Sequence, residues 1–160
     1  RRPPRSTLFP YPTLFRSLTG RAYINIHSST HDSGEIRGQI APVRWQAQLT
    51  GNAEVPPVTT AATGSASLEL VGNELLWQLS YANLSGPAQA AHLHGPAAPD
   101  ENAPPLVTLT LPATATGSAQ GSATLDPATL RAFIDGRTYL NIHTPQHTSG
   151  EIRGQVQPAP

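Results

Sequence analysis

The chain has 160 residues, with ten Arg, no Lys and ten acidic groups, so its formal net charge is zero. That balance lacks the basic surplus of a nucleic-acid surface, and no apolar run nears the roughly 18 residues of a membrane span. Cys is absent, which excludes disulfides, thiolate metal sites and cysteine nucleophiles; Met is absent too, so any export signal would lie ahead of Arg1.

Residues 1–17, RRPPRSTLFPYPTLFRS, carry four of the ten Arg and a near-duplicated Thr-Leu-Phe. The segment reads as translated sequencing adapter, with a native Pro-rich linker as the other reading, and it is set aside from the fold. Without it six Arg face ten acids, a net charge of −4.

An internal repeat follows. Gly20 to Ile40 reads GRAYINIHSSTHDSGEIRGQI, and Gly136 to Val156 reads GRTYLNIHTPQHTSGEIRGQV. The offset is 116 residues and 14 of the 21 positions are identical, the signature of two copies of one domain. Residues 18–43 are then the C-terminal fragment of a first copy, and residues 44–160 are a complete second copy. The fragment is too short to bury a core of its own, and its strand Tyr23–Ile26 presents an aggregation-prone edge.

Within 44–160, short alternating runs between Gly, Pro and Ser turns predict an all-β fold, an antiparallel sandwich or barrel of immunoglobulin-like or superoxide-dismutase-like kind. Strands are expected at Trp45–Leu49, Gly64–Val71, Glu74–Tyr81, Gln89–His94, Val107–Leu111, Gly117–Leu125, Arg137–His143 and Gly150–Gln157. One short helix is expected over 126–136, with Asp126 as N-cap, Pro127 at the first helical position and Gly136 as the stop. Trp77, Leu79, Leu109, Leu125, Phe133, Leu140 and Ile142 are the expected core.

Histidines carry the chemistry. His92 and His94 are two apart on a strand and project from one face, with Leu93 on the other. His143 shares a face with Tyr139 and Asn141, opposite Leu140 and Ile142. Three imidazoles on non-core faces of two strands can converge on one ion, and neutral imidazole suits copper or zinc. His147, four residues on, is the expected fourth ligand if its loop folds back. Proton competition would weaken binding as pH falls through about 6.5. In the fragment, His27 and His31 match His143 and His147. Hydrogen-bonding histidines at strand ends, with no ion, are the alternative reading.

No Gly-x-Ser-x-Gly elbow or Gly-rich phosphate loop is present, so no catalytic residue is assigned. Asp100 and Glu101 fall in a Pro-rich loop where acids are ordinarily solvated. Glu151, Arg153 and Gln155 share one strand face, which a cross-strand ion-pair ladder explains as well as a binding role does.

Four stretches resemble the CHRD (chordin-type) domain: Leu49-Thr-Gly-Asn-Ala-Glu54-Val-Pro-Pro57, Ala91-His92-Leu93-His94-Gly95, Gly136-Arg-Thr-Tyr139-Leu-Asn141-Ile-His143-Thr144 and Gly150-Glu-Ile-Arg153-Gly-Gln155. The resemblance implies a secreted, periplasmic or cell-surface β module, often in tandem with a neighbouring CHRD repeat in the same chain. It implies a binding or structural role toward a protein or other extracellular ligand. A weaker resemblance is to the copper–zinc superoxide dismutases, through His92-x-His94 and Gly136-Arg137-Thr138…His143. It implies a copper ion on the outside of a β-barrel, but the counterparts of the bridging and zinc-binding histidines and of the cysteine pair are missing. The expected function is an exported, non-catalytic CHRD module, with a copper-binding domain as the alternative.

Overall fold

A computed structural model describes residues 22–41 and 43–160, and the chain divides between residues 43 and 44 into two compact units. The adapter-like segment 1–17 lies outside the described residues. No described helix is long and apolar enough to cross a membrane.

The first unit contains an antiparallel hairpin of β1 (Tyr23–Ser28) and β2 (His31–Gln39). Its large apolar side chains are exposed: Tyr23 51%, Ile24 62%, Ile26 54% and Ile36 62%.

The second unit holds β3 (Arg44–Thr50), β4 (Thr63–Val71), β5 (Glu74–Ala82), β6 (Ala90–His94), β7 (Pro105–Thr108), β8 (Gly117–Thr124), α1 (Pro127–Ile134), β9 (Tyr139–His143), β10 (Ile152–Gln155) and β11 (Gln157–Pro158). The strands form one antiparallel, nearly closed, barrel-like sheet in the order β7-β6-β9-β10-β3-β4-β5-β8, with β11 beside β3. The all-β expectation therefore holds. Strict alternation explains β5, where Leu75, Trp77, Leu79 and Tyr81 are buried and Glu74, Leu76, Gln78 and Ser80 are not. Gly121 pairs with Trp77 across the β5–β8 ladder, and a Cβ at Gly121 would run into the indole. All seven expected core residues are buried.

The helix follows its caps. The Asp126 carboxylate accepts from the Ala128 and Thr129 amides at 2.8 and 3.0 Å, and Gly136 takes a φ of +69° that favours glycine. Leu130 and Phe133 are buried, with the Phe133 ring 5.0 Å from that of Trp45. Two strand expectations change in extent. The Val107–Leu111 alternation outruns its ladder, because β7 ends at Thr108, although Leu109 remains buried. Gly150–Gln157 divides into β10, which pairs chiefly with β9, and β11, which pairs with β3 alone.

The expected ion-pair ladder on β10 is not what forms. Glu151 is fully buried and accepts from Thr60 Oγ1 (2.7 Å), Ser85 N (2.9 Å), Ser85 Oγ (2.7 Å) and Thr144 Oγ1 (2.7 Å). Arg153 instead donates to Asn102 Oδ1, Ala98 O and Glu101 O. The two charges bind loops from different parts of the chain, which cross-strand pairing rules do not see. Burial pushes the Glu151 carboxyl up, but the bonds from Thr144, Thr60 and Ser85 together hold it below its ordinary value of 4.5.

Replacing Glu151 with Ala strands these donors in the interior, and a loss of about 3 kcal/mol or more is expected at pH 7 by denaturant melts. A carboxyl held low stabilises the fold above its unfolded pKa, and that contribution disappears as pH falls through the folded one. The stability gap between the parent and Glu151→Gln should therefore narrow in acid.

Candidate metal centre

β6 and β9 lie side by side, with His92 opposite Asn141, His94 opposite Tyr139 and Ala90 opposite His143. His143 is thus the diagonal neighbour of His92, within side-chain reach on the same face. The ring centroids lie 5.4 Å (His92–His94), 5.0 Å (His92–His143) and 6.0 Å (His94–His143) apart. One nitrogen from each ring falls in a group whose members are all within 4.8 Å of one another.

Hydrogen bonds decide which ring nitrogens carry a proton and which a lone pair. A carbonyl oxygen can only accept, so a ring nitrogen bonded to one carries the proton. His94 Nδ1 donates to Ala103 O at 2.8 Å and His143 Nδ1 donates to Thr148 O at 3.0 Å. Each neutral ring then keeps its lone pair on Nε2. His92 Nδ1 lies 3.1 Å from His143 Nε2, where it donates to that lone pair. His94 Nε2 is buried and has no hydrogen-bond partner. Carbonyl-fixed tautomers of this kind are what orient imidazoles toward a metal.

The expectation that this face lies outside the core needs correction. His94 is 8% exposed, Tyr139 3% and Asn141 3%. Residues 97–103 are folded over the face, held by Arg153 and by Tyr139, whose hydroxyl donates to Ala103 O. Strand phase predicts which side chains share a face but not what covers it. His94 stacks on Tyr139 at 4.9 Å with an interplanar angle of 5°, and the Arg153 guanidinium lies 3.5 Å from the centroid of that tyrosine ring. His92 and His143 remain half-buried.

Burial holds both His92 and His94 below the ordinary imidazole value of 6.5. For His92, His143 adds to the effect. For His94 the bond to Ala103 opposes it, and His92, His143 and Arg153 reinforce it. The neutral, ligating forms are therefore favoured.

His147 is not part of the cluster. Its backbone closes the turns after β9, accepting from Thr144 N and Gly150 N. The i+4 spacing from His143 serves a loop there, so the expected fourth ligand is not brought in. Asp100 and Glu101 are exposed and outside the cluster; the Glu101 carboxylate accepts from Ala98 N at 2.9 Å.

Glu54 was not singled out for a role by its sequence context. It is 5% exposed and accepts from Asn141 Nδ2 at 3.1 and 3.2 Å, on the strand face that the histidines share. Burial pushes its carboxyl up to about 7, against the Arg153 guanidinium and the Asn141 amide, which pull it down. Only its place in the Asn-Ala-Glu54-Val-Pro-Pro motif marked it.

A family model described as CHRD domain matches the chain over residues 7–40 and 45–156. Chordin from Xenopus laevis is 29% identical over 156 aligned residues, covering 87% of this chain and 17% of that protein. The chain thus spans about a sixth of that relative's length. No solved structure matches.

Between pH 4.5 and about 7 the folded protein holds a Glu54 proton that the unfolded chain has released, so this group's contribution falls as pH rises through that window. Glu54→Gln should therefore melt above the parent at pH 8 and close to it at pH 5. An equal offset at both values in paired thermal melts would contradict the assignment.

Proposed function

Because the chain belongs to the CHRD domain family, we propose that residues 44–160 form an exported module that holds one copper ion on His92 Nδ1, His94 Nε2 and His143 Nε2. The observation that carries this reading is the buried, unpartnered His94 Nε2, on a ring that contributes one nitrogen to a three-imidazole group whose members all lie within 4.8 Å of one another. A buried polar atom left unsatisfied costs about 1–3 kcal/mol, and a cation at this point removes that cost. Three ligands about 2.0–2.1 Å from one ion span at most about 4 Å, so the rings need to close by only about 1 Å. His92 would pass its proton to Nε2 as the ion enters. Nitrogen sites favour copper over zinc among the divalent ions. Two of the three rings are half-buried, so a remaining coordination position on the ion would be open to water.

A second reading is a binding or structural repeat whose ligand is an extracellular protein, favoured by the similarity to chordin across 87% of the chain. The two differ in what the histidines do. Titrating the chain with Cu(II) in a calorimeter should reveal one tight site. His92→Ala and His143→Ala should each weaken it by more than about 100-fold. His94→Ala should do the same but also lower the melting temperature, because it removes a buried ring stacked on Tyr139. Since the His92 and His94 imidazoles are held below 6.5, affinity should stay level from pH 8 to about 6.5 and fall only below that. Absence of a tight copper site leaves the protein-binding reading.

A further inference from the structure

Hairpin β1–β2 repeats β9–β10 in more than sequence. At the offset of 116 residues, Tyr23↔Gln39, Ile24↔Gly38, Asn25↔Arg37 and Ile26↔Ile36 reproduce the pairs Tyr139↔Gln155, Leu140↔Gly154, Asn141↔Arg153 and Ile142↔Ile152. The side-chain contacts repeat too. Arg37 lies 3.7 Å over the Tyr23 ring, as Arg153 lies 3.5 Å over Tyr139. Gly34 and Gly150 both have positive φ, and in each a Cβ would strike the amide of the matching asparagine. His27 Nδ1 donates to Asp32 O at 2.7 Å, as His143 Nδ1 donates to Thr148 O at 3.0 Å. The His27 proton is thereby fixed on Nδ1, and Nε2 is left as a ligand.

What differs is the surroundings. β9 lies between β6 and β10, and its side chains Tyr139 to Ile142 are all buried. β1 has β2 as its one partner strand among the described residues, and Tyr23, Ile24 and Ile26 are exposed. Asn141 donates to Glu54, whereas Asn25, without such a partner, donates to Ser33 O at 3.2 Å.

We propose that hairpin β1–β2 is the third-histidine half of a second copper site, completed when a strand of the β6 type, bearing His-x-His, pairs with β1. This rests on the copper reading of the first site. The occupant is set by the register: where Ala90–His94 lies against β9, an equivalent strand from a preceding CHRD unit lies against β1. The apolar residues Ile24 and Ile26 await the same cover that Leu140 and Ile142 receive. The CHRD family match to residues 7–40 agrees that this segment belongs to such a unit.

The test compares the 160-residue chain with one in which residues 44–135 are fused ahead of residues 20–160, so that Asp135 runs into Gly20 as it does into Gly136. Copper stoichiometry and amide exchange of Tyr23–Ile26 are measured on both. The expected result is one ion on the parent chain and two on the fusion. His27→Ala should cost the fusion one ion and the parent none, while the parent loses its ion with His143→Ala. The Tyr23–Ile26 amides should exchange rapidly in the parent and slowly in the fusion. A fusion that binds one ion whether or not His27 is present, or whose β1 amides stay unprotected, overturns the proposal. If neither protein takes up copper, the first-site reading falls and the second site with it, and exchange protection still reports whether β1 accepts the strand.

Discussion

The histidine cluster depends on a guanidinium with 1% exposure. A charge removed from water is tolerated only where its donors are met, and Arg153 meets Asn102 Oδ1, Ala98 O and Glu101 O while its flat face covers Tyr139. Through those bonds it holds residues 98–102 against the sheet. The neighbouring Ala103 carbonyl is then in place to fix the His94 tautomer. Through the stack it fixes Tyr139, and Tyr139 fixes the plane of His94. One side chain on β10 thus sets both the proton and the orientation of a ring on β6, across the intervening strand β9. A lysine could carry the charge but offers neither the fork of donors nor the planar face.

Much of this architecture is legible in the residues. Alternation at Leu75-Trp77-Leu79-Tyr81 marks a half-buried strand, and Asp126-Pro127 with Gly136 brackets the helix. His92-x-His94 and His143 could be placed on common faces from strand phase alone. That they are diagonal neighbours follows from β6 and β9 being adjacent, which the phase argument required but did not supply. The cover over the face was not legible. It comes from residues 97–103, a loop stretch whose alternation is nil, and from Glu54, more than 80 residues from the Asn141 it binds. The roles of Glu151 and Arg153 were hidden for the same reason: their partners, at Thr60, Ser85, Thr144 and residues 98–102, belong to loops that sequence spacing cannot bring together. His147 misleads because a four-residue spacing in a turn sets no common direction.

The two buried carboxyl groups behave differently although both are inaccessible. Glu151 receives four donated hydrogen bonds and stays ionised; Glu54 receives only an amide and is driven toward its neutral form. The first closes loops at one end of the sheet, and the second supports Asn141 in the strand that carries His143. Burial also holds the His92 and His94 imidazoles below their ordinary value. Imidazoles held below their ordinary value by burial are poor places for a proton, and their nitrogen lone pairs suit a borderline cation such as Cu(II).

Pulsed EPR of the chain loaded with one equivalent of Cu(II) tests this account most directly, because it reads the nitrogens on the ion. The account predicts couplings from three imidazoles, with two remaining in His92→Ala. Couplings from a single imidazole, or from backbone amide nitrogens at the exposed hairpin, would contradict it.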